Sequence, residues 1–357
     1  MGKGYIKEVF PGGNTAYGFY SFYKYIIGDD AKRIFILKGG PGTGKSSFMK
    51  KIAYVMVDKG FDVEFHRCSS DNNSLDGVVI PQKGIALIDG TAPHVVDPVY
   101  PGSLEVIINL GQFLNEQEMQ KHREAIVALS EEIKRLFSRA YKYLSAAKGL
   151  KDDAVSVMER CVDWARVNKV AYGLINSMFA GMSISDRLGK ERHLFASAIT
   201  PGGVKDYVET IVRPYSKRYV IKGRDGTGGT LILKTLLEQA RIRGCDVEAY
   251  HCALDPEVIE HLLIPGLDVA ITTWEKFEDS GLVVDLGGCV DEQKLRHYKE
   301  ELEADLEYAG IMVQEAVKCI NKAKKAHDEL EKYYVSCMDF HAVDQLREDV
   351  LKKILRC

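Results

Sequence analysis

The sequence predicts an α/β protein made of two tandem copies of one unit, each with a mostly parallel sheet followed by a long helical hairpin. Three observations carry this. Short apolar runs alternate with stretches of helical periodicity, as strands joined by helical crossovers require. A glycine loop, "GGPGTGKSS" at 39–47, lies between such a run and a helix, and "GRDGTGGT" at 223–230 repeats its setting. The second half of the chain then echoes the first almost from end to end, and such repeats decide the architecture.

The elements of the first copy follow in order. A first helix carries Phe19, Phe22 and Ile26 at helical spacing. A short buried strand at 34–37 leads into the glycine loop and a helix to about residue 59, which Gly60 closes as glycine does at a C-terminus. Strand 62–66, the polar turn "SSDNNS", strand 84–88 ending at Asp89, and strand 104–110 complete the sheet. From Ile126 the apolar positions run Leu129, Ile133, Leu136, Ala140, Tyr143, Ala147 and Leu150, the alternating 3 and 4 spacing of a coiled-coil seam. Gly149 and Asp152-Asp153 read as a turn, with a second helix to about Phe179.

The repeat is specific at the level of single residues. Phe10, Thr15 and Gly18 recur as Phe195, Thr200 and Gly203; "GFDVEFHRC" recurs as "GCDVEAYHC"; Cys161-Val-Asp163-Trp164 recurs as Cys337-Met-Asp339-Phe340. The offset drifts only from 185 through 184 to 176. Copy one is placed at 1–186 with its hairpin at about 115–180, and copy two at 187–357 with its hairpin at about 291–356. Matching surfaces lead the copies to pack as an intramolecular pseudo-dimer about an approximate two-fold axis. The hairpins read either as elements that cover their sheets or pack together, the second pairing with the first, or as an arm that moves with nucleotide state or grips a protein partner.

Composition narrows the function. Apolar residues make up 46% and charged residues 28% of 357, an ordinary globular balance. A net charge of −3 argues against nucleic acid as a partner. No apolar run approaches the roughly 18 residues needed to cross a bilayer, so no membrane is expected. The start, MGKGYIKEVF, lacks the apolar stretch of a secretory signal, and eight cysteines without a CxxC pair fit a reducing cytoplasm.

The loop holds the chemistry. Gly39, Gly44, Lys45 and Ser46 satisfy G-x-x-x-x-G-K-[ST] at every fixed position, after a strand and before a helix. Glycines let successive N–H groups turn inward as an anion nest, and the helix behind aims its positive end at the same point. In these residues the chain resembles the P-loop NTPases, and as a whole it is similar to a group of bacterial ATP-binding proteins with duplicated P-loop domains. The resemblance implies a nucleoside triphosphate held by Gly39, Gly40, Pro41, Gly42, Thr43, Gly44, Lys45, Ser46 and Ser47. Lys45 would reach the β- and γ-phosphates, and Ser46 would ligate Mg²⁺ with help from Asp89 at its strand end. Lys45 and Asp89 are thus the catalytic candidates. Many ATPases place a glutamate after that aspartate, whereas here Gly90 follows, which points to slow hydrolysis. Asp71, Asp76 and His94 are further candidates in loops on the ligand-binding edge.

Copy two has Gly229 for Lys45 and Thr273 for Asp89, so its site reads as degenerate unless a cation such as Lys222 or Arg224 substitutes. The guanine-reading motif N/T-K-x-D is absent from the strand ends, which favours ATP, and no LSGGQ signature is present. His66-Arg67-Cys68 and His251-Cys252 read as strand ends with buried cysteines rather than metal ligands. Arg123, Arg135 and Arg139 read as a solvated helix face or as a phosphate-closing lid. The expectation is an ATP-binding protein, a slow Mg²⁺-dependent ATPase or nucleotide switch, with one competent site. The alternatives are a small-molecule or nucleotide kinase and a non-catalytic ATP-sensing scaffold.

Overall fold

A computed structural model describes residues 2–28, 30–92 and 95–356. His94 lies outside the described residues. The first copy contains β1 (Ile6–Val9), β2 (Gly12–Thr15), β3 (Gly18–Ser21), β4 (Arg33–Lys38), α1 (Lys45–Asp58), β5 (Val63–Arg67), β6 (Leu75–Ile80), β7 (Ile85–Asp89), β8 (Glu105–Asn109), α2 (Glu116–Lys121), α3 (Arg123–Arg160) and α4 (Trp164–Met178). The second contains β9 (Glu191–Phe195), β10 (Ser197–Thr200), β11 (Gly203–Asp206), α5 (Val208–Val212), β12 (Lys217–Lys222), α6 (Gly229–Arg241), β13 (Val247–His251), β14 (Ile259–Ile264), β15 (Val269–Thr272), β16 (Leu282–Asp285), α7 (Glu292–His297), α8 (Lys299–Ser336) and α9 (Phe340–Arg356).

Each copy builds a six-stranded sheet with one strand order, β1-β5-β6-β7-β4-β8 in the first and β9-β13-β14-β15-β12-β16 in the second. Five strands of each run parallel, and β6 and β14 run against their neighbours. The chain is therefore mixed α/β with two mostly parallel sheets. Strand β6, "LDGVVI", is absent from the sequence reading. It is buried on both faces and so shows no alternation, and a polar turn precedes it.

The expected first helix does not form: Phe19 lies in a β-hairpin, and Phe22 and Ile26 flank a single 3₁₀ turn, Tyr23–Tyr25. β2 and β3 pair antiparallel through the two-residue turn Ala16-Tyr17. Gly18 at φ +92° supplies the left-handed backbone that this turn needs. The 3,4 spacing of Phe19, Phe22 and Ile26 spans only two turns, too little to outweigh four glycine and proline positions between 11 and 18.

The helical hairpins also differ from expectation. α3 runs unbroken through Gly149 and Asp152-Asp153, and the turn falls at 161–163. Glycine in a helix interior costs about 1 kcal/mol; the Lys148–Asp152 pair at i,i+4 and packing against α8 offset it. The principal partner of α3 is α8 rather than α4, so the two hairpins pack together, one of the arrangements the sequence allowed. At about 1.5 Å per residue, these two 38-residue helices are each near 57 Å long. They run antiparallel: Ala140, Leu144 and Ala147 pack with Ala316 and Ile320, while Ala154 and Val157 meet Leu302. Alanines at these contacts let the two backbones approach closely.

The short helices then cross to the opposite copy. α9 of copy two lays Val343, Val350 and Ile354 onto the core formed by sheet one and α1 residues Phe48, Met49 and Ile52. α4 of copy one lays Val167, Ala171 and Leu174 onto sheet two and α6. Each copy's core is thus closed by a helix from the other. On its second face sheet one carries the short Tyr23–Ile27 segment rather than a long helix.

Where the copies meet, equivalent residues face each other. Phe10 and Phe195 exchange backbone hydrogen bonds in a core with Phe22 and Tyr250. Beside them lies a quartet of charges. Lys7 Nζ is 2.6 Å from Glu248 and 3.3 Å from Glu64, and Arg192 is 2.6 Å from Glu64 and 3.2 Å from Glu248. Each cation holds both carboxylates. No helix among the described residues is long and apolar enough to cross a membrane.

Candidate functional site

The glycine loop joins the end of β4 to the start of α1. A β-carbon on Gly39 would lie 2.6 Å from Thr43 Oγ1, and Gly42 and Gly44 take φ +68° and +88°, so this path needs glycine. Thr43 Oγ1 donates to the Gly40 carbonyl at 2.9 Å and braces the turn. Gly44 is the N-cap of α1, leaving the first-turn N–H groups without a side-chain acceptor.

Lys45 Nζ donates to the carbonyls of Gly39 at 2.7 Å and Gly40 at 2.9 Å, and lies 3.6 Å from Asp89 Oδ2. The parallel register pairs Leu37 with Asp89, which sets that carboxylate beside the loop. Asp89 Oδ1 accepts from Thr91 N at 2.9 Å, and Thr91 Oγ1 donates to the Gly39 carbonyl at 3.0 Å. Ser46 Oγ accepts from Leu75 N at 3.0 Å, tying α1 to β6. Pro41 is half-buried and Ser47 is exposed on the first turn of α1.

Asp76 is not a loop residue. It sits inside β6, buried, and its carboxyl is pushed up to about 7 by burial and by the nearby Asp89 charge, against hydrogen bonds from Cys68 and Tyr23 and the pull of Lys45. Lys45, Asp89 and Asp76 therefore form one cluster. Asp71 stays in its turn, accepting from Asn73 N and Ser74 Oγ, and meets Lys324 of α8 at 3.6 Å.

The wall over the loop comes from copy two, which sequence reasoning did not find at residue level. A β-carbon on Gly40 would lie 2.5 Å from the Tyr334 ring, one on Gly42 3.0 Å from Val335 and 3.1 Å from the Glu331 carbonyl, and one on Gly44 3.4 Å from Phe340. Strand-like bonds fix this corner: Asn115 N donates to the Cys337 carbonyl and Asp339 N to that of Phe113. The only sequence signal was the recurrence of "CVDW" as "CMDF", which marks the same corner in both copies.

Copy two keeps the turn but not the charges. Gly226 and Gly228 take φ +85° and +104°, and Thr227 Oγ1 donates to the Arg224 carbonyl at 2.7 Å. Gly229 faces Thr273 as Lys45 faces Asp89. Lys222 does not substitute for the missing lysine; it pairs with Glu278 at 3.0 Å. Lys151 of α3 reaches in from copy one and pairs with Asp225 at 2.9 Å.

The remaining candidates lie elsewhere. Arg135 forks onto Glu132 and Arg139 packs on Tyr143, both lining an open groove of about 440 Å³ on α3 that contains no residue of the glycine loop. Arg123 opens α3. His66 is buried beside Glu64, and burial lowers its pKa. Burial pushes the Cys68 thiol well up and that of Cys252 to about 12. His251 instead contacts His193 at 2.8 Å. Comparisons with protein-family models, curated proteins and solved structures return no match to this chain.

Proposed function

We propose that the chain is a Mg²⁺-dependent ATP-binding protein of the P-loop type, working as a slow ATPase or nucleotide switch with one competent site in copy one. The observation that carries this is the left-handed-glycine turn at 39–44 opening α1, with the Lys45 ammonium at its neck and Asp89 3.6 Å away. Lys45 now spends its donors on two loop carbonyls. Phosphate oxygens, being charged acceptors, would compete for them strongly.

Asp89, Asp76 and the Ser46 hydroxyl offer the hard oxygen donors that Mg²⁺ takes, and an added dication would help ionise the Asp76 carboxyl, whose pKa burial and Asp89 raise to about 7. When bound, that ion would neutralise phosphate charge. Slow turnover follows from Gly90. A side chain there would lie 2.5 Å from Ile36 Cγ2 and 3.0 Å from the Val96 carbonyl, so no glutamate fits next to Asp89. Copy two then serves by contact, as half of a pseudo-dimer, supplying Tyr334, Val335 and Phe340 to the wall of the site.

Phosphate release from Mg-ATP tests the reading. Slow, acceptor-independent release is expected, and Lys45→Ala should lower it by about two to three decades in a folded protein. ADP formation that requires an added acceptor would instead mark a kinase, and binding without either would mark a sensing scaffold.

A further inference from the structure

Near the end of α8, the side chains of His327, Asp328 and Glu331 bring an imidazole nitrogen and two carboxylate oxygens within 4.8 Å of one another. His327 and Glu331 are four residues apart and share a face. His327 Nδ1 is shielded from solvent and has no hydrogen-bond partner. Its neighbour Glu331 Oε1 is 3.7 Å away, too far for a hydrogen bond. That separation is close to the span between two ligands on one dication with bonds of about 2.1 Å. Lys324 bonds to Asp328, lies near Glu331 and also reaches Asp71, which holds the Asp328 carboxylate in place.

Copy one supplies the control. The equivalent positions on α3 are Lys151, Asp152 and Val155, which cannot form such a set. Val155 nevertheless packs on Gly226 as Glu331 packs on Gly42. Helix-on-loop packing is therefore satisfied by lysine and valine, and does not call for histidine and glutamate. Those residues appear only over the loop that keeps its lysine and aspartate.

We propose that His327, Asp328 and Glu331 form a binding site for a transition-metal dication, with one imidazole and two carboxylates as ligands and the remaining positions open. An imidazole in the set favours zinc, nickel or cobalt over magnesium, which takes oxygen ligands. The site adjoins the glycine loop, where Glu331 packs on Gly42, but its three ligands are distinct from Ser46 and Asp89 and it does not depend on the nucleotide reading.

The test uses the full chain, stripped of metal and titrated with Co²⁺ by visible absorption and with Zn²⁺ by chelator competition. One site per chain is expected. His327→Lys and Glu331→Val install the residues that copy one carries at these positions, so both should fold, and each should weaken the site by about tenfold or more. Lys45→Ala should leave it unchanged. Zn²⁺ should also raise the melting temperature of the parent chain and not of these two variants. No binding by the parent chain, or affinity and melting shift retained in both variants, overturns the proposal.

Discussion

Phe10 and Phe195 exchange both backbone hydrogen bonds, N to O at 2.9 and 3.0 Å, across the junction of the two copies. They are each other's counterparts in the repeat. A residue that pairs with its own equivalent lies where a two-fold axis would pass, as at the centre of an isologous dimer interface. The same reciprocity recurs away from this point. Lys148 meets Asp255 as Lys324 meets Asp71, and Asp163 N bonds the Cys289 carbonyl as Asp339 N bonds that of Phe113.

The charge quartet at this junction gives the first prediction. Burial alone would raise the Glu64 pKa, but Arg192 and Lys7 outweigh it and hold the carboxyl well below its usual range. Glu64→Gln leaves both cations short of a partner, and the expected loss of stability is about 3–5 kcal/mol. Urea unfolding measures it. In the parent chain a depressed carboxylate stabilises the fold above its unfolded pKa of about 4.3, and that contribution disappears as pH falls through the folded value. The variant should therefore lose less stability on acidification below pH 4. An unchanged midpoint would mean that the quartet does not couple the copies.

Asp76 has the opposite sign. Its folded pKa of about 7 exceeds an unfolded value of about 3.9, so between these limits the folded chain keeps a proton that the unfolded chain releases. Stability should fall as pH rises from 4 to 7 and then level off. Asp76→Asn should remove that slope, measured as unfolding free energy against pH without added metal or nucleotide. A slope that persists in the variant would assign it to another group.

Residues 1–186 alone should not behave as a monomer. Without α9, the core around Phe48 and Ile52 loses Val343, Val350 and Ile354, and α4 loses the sheet it covers. Light scattering should show a self-associated species, most simply a dimer in which each α4 closes the core of the other chain. Adding residues 187–357 should convert it to the one-to-one pair. A stable monomeric fragment would show that the crossed helices are dispensable.

The sequence carried the repeat, the strand–loop–helix around Lys45, and the position of Asp89, because each is set by local chemistry: glycines at left-handed positions, an apolar run, a strand-end acid. It did not carry the crossing of α4 and α9. The apolar stripes of Val167–Leu174 and Val343–Ile354 state that a face is buried but not against which sheet. The same limit hid Tyr334 and Phe340, whose contacts lie hundreds of residues away along the chain. Gly149 misled in the other direction. Its turn propensity is real, yet a 38-residue helix held by its antiparallel partner absorbs one glycine.

On the proposed function, the chain holds one nucleotide site, in copy one, dependent on Lys45. Calorimetric titration of the 357-residue chain with Mg-ATP measures the number of sites. A stoichiometry of one is expected, with loss of that binding in a folded Lys45→Ala variant. Two equivalent sites, or a site that survives the substitution undiminished, would contradict it.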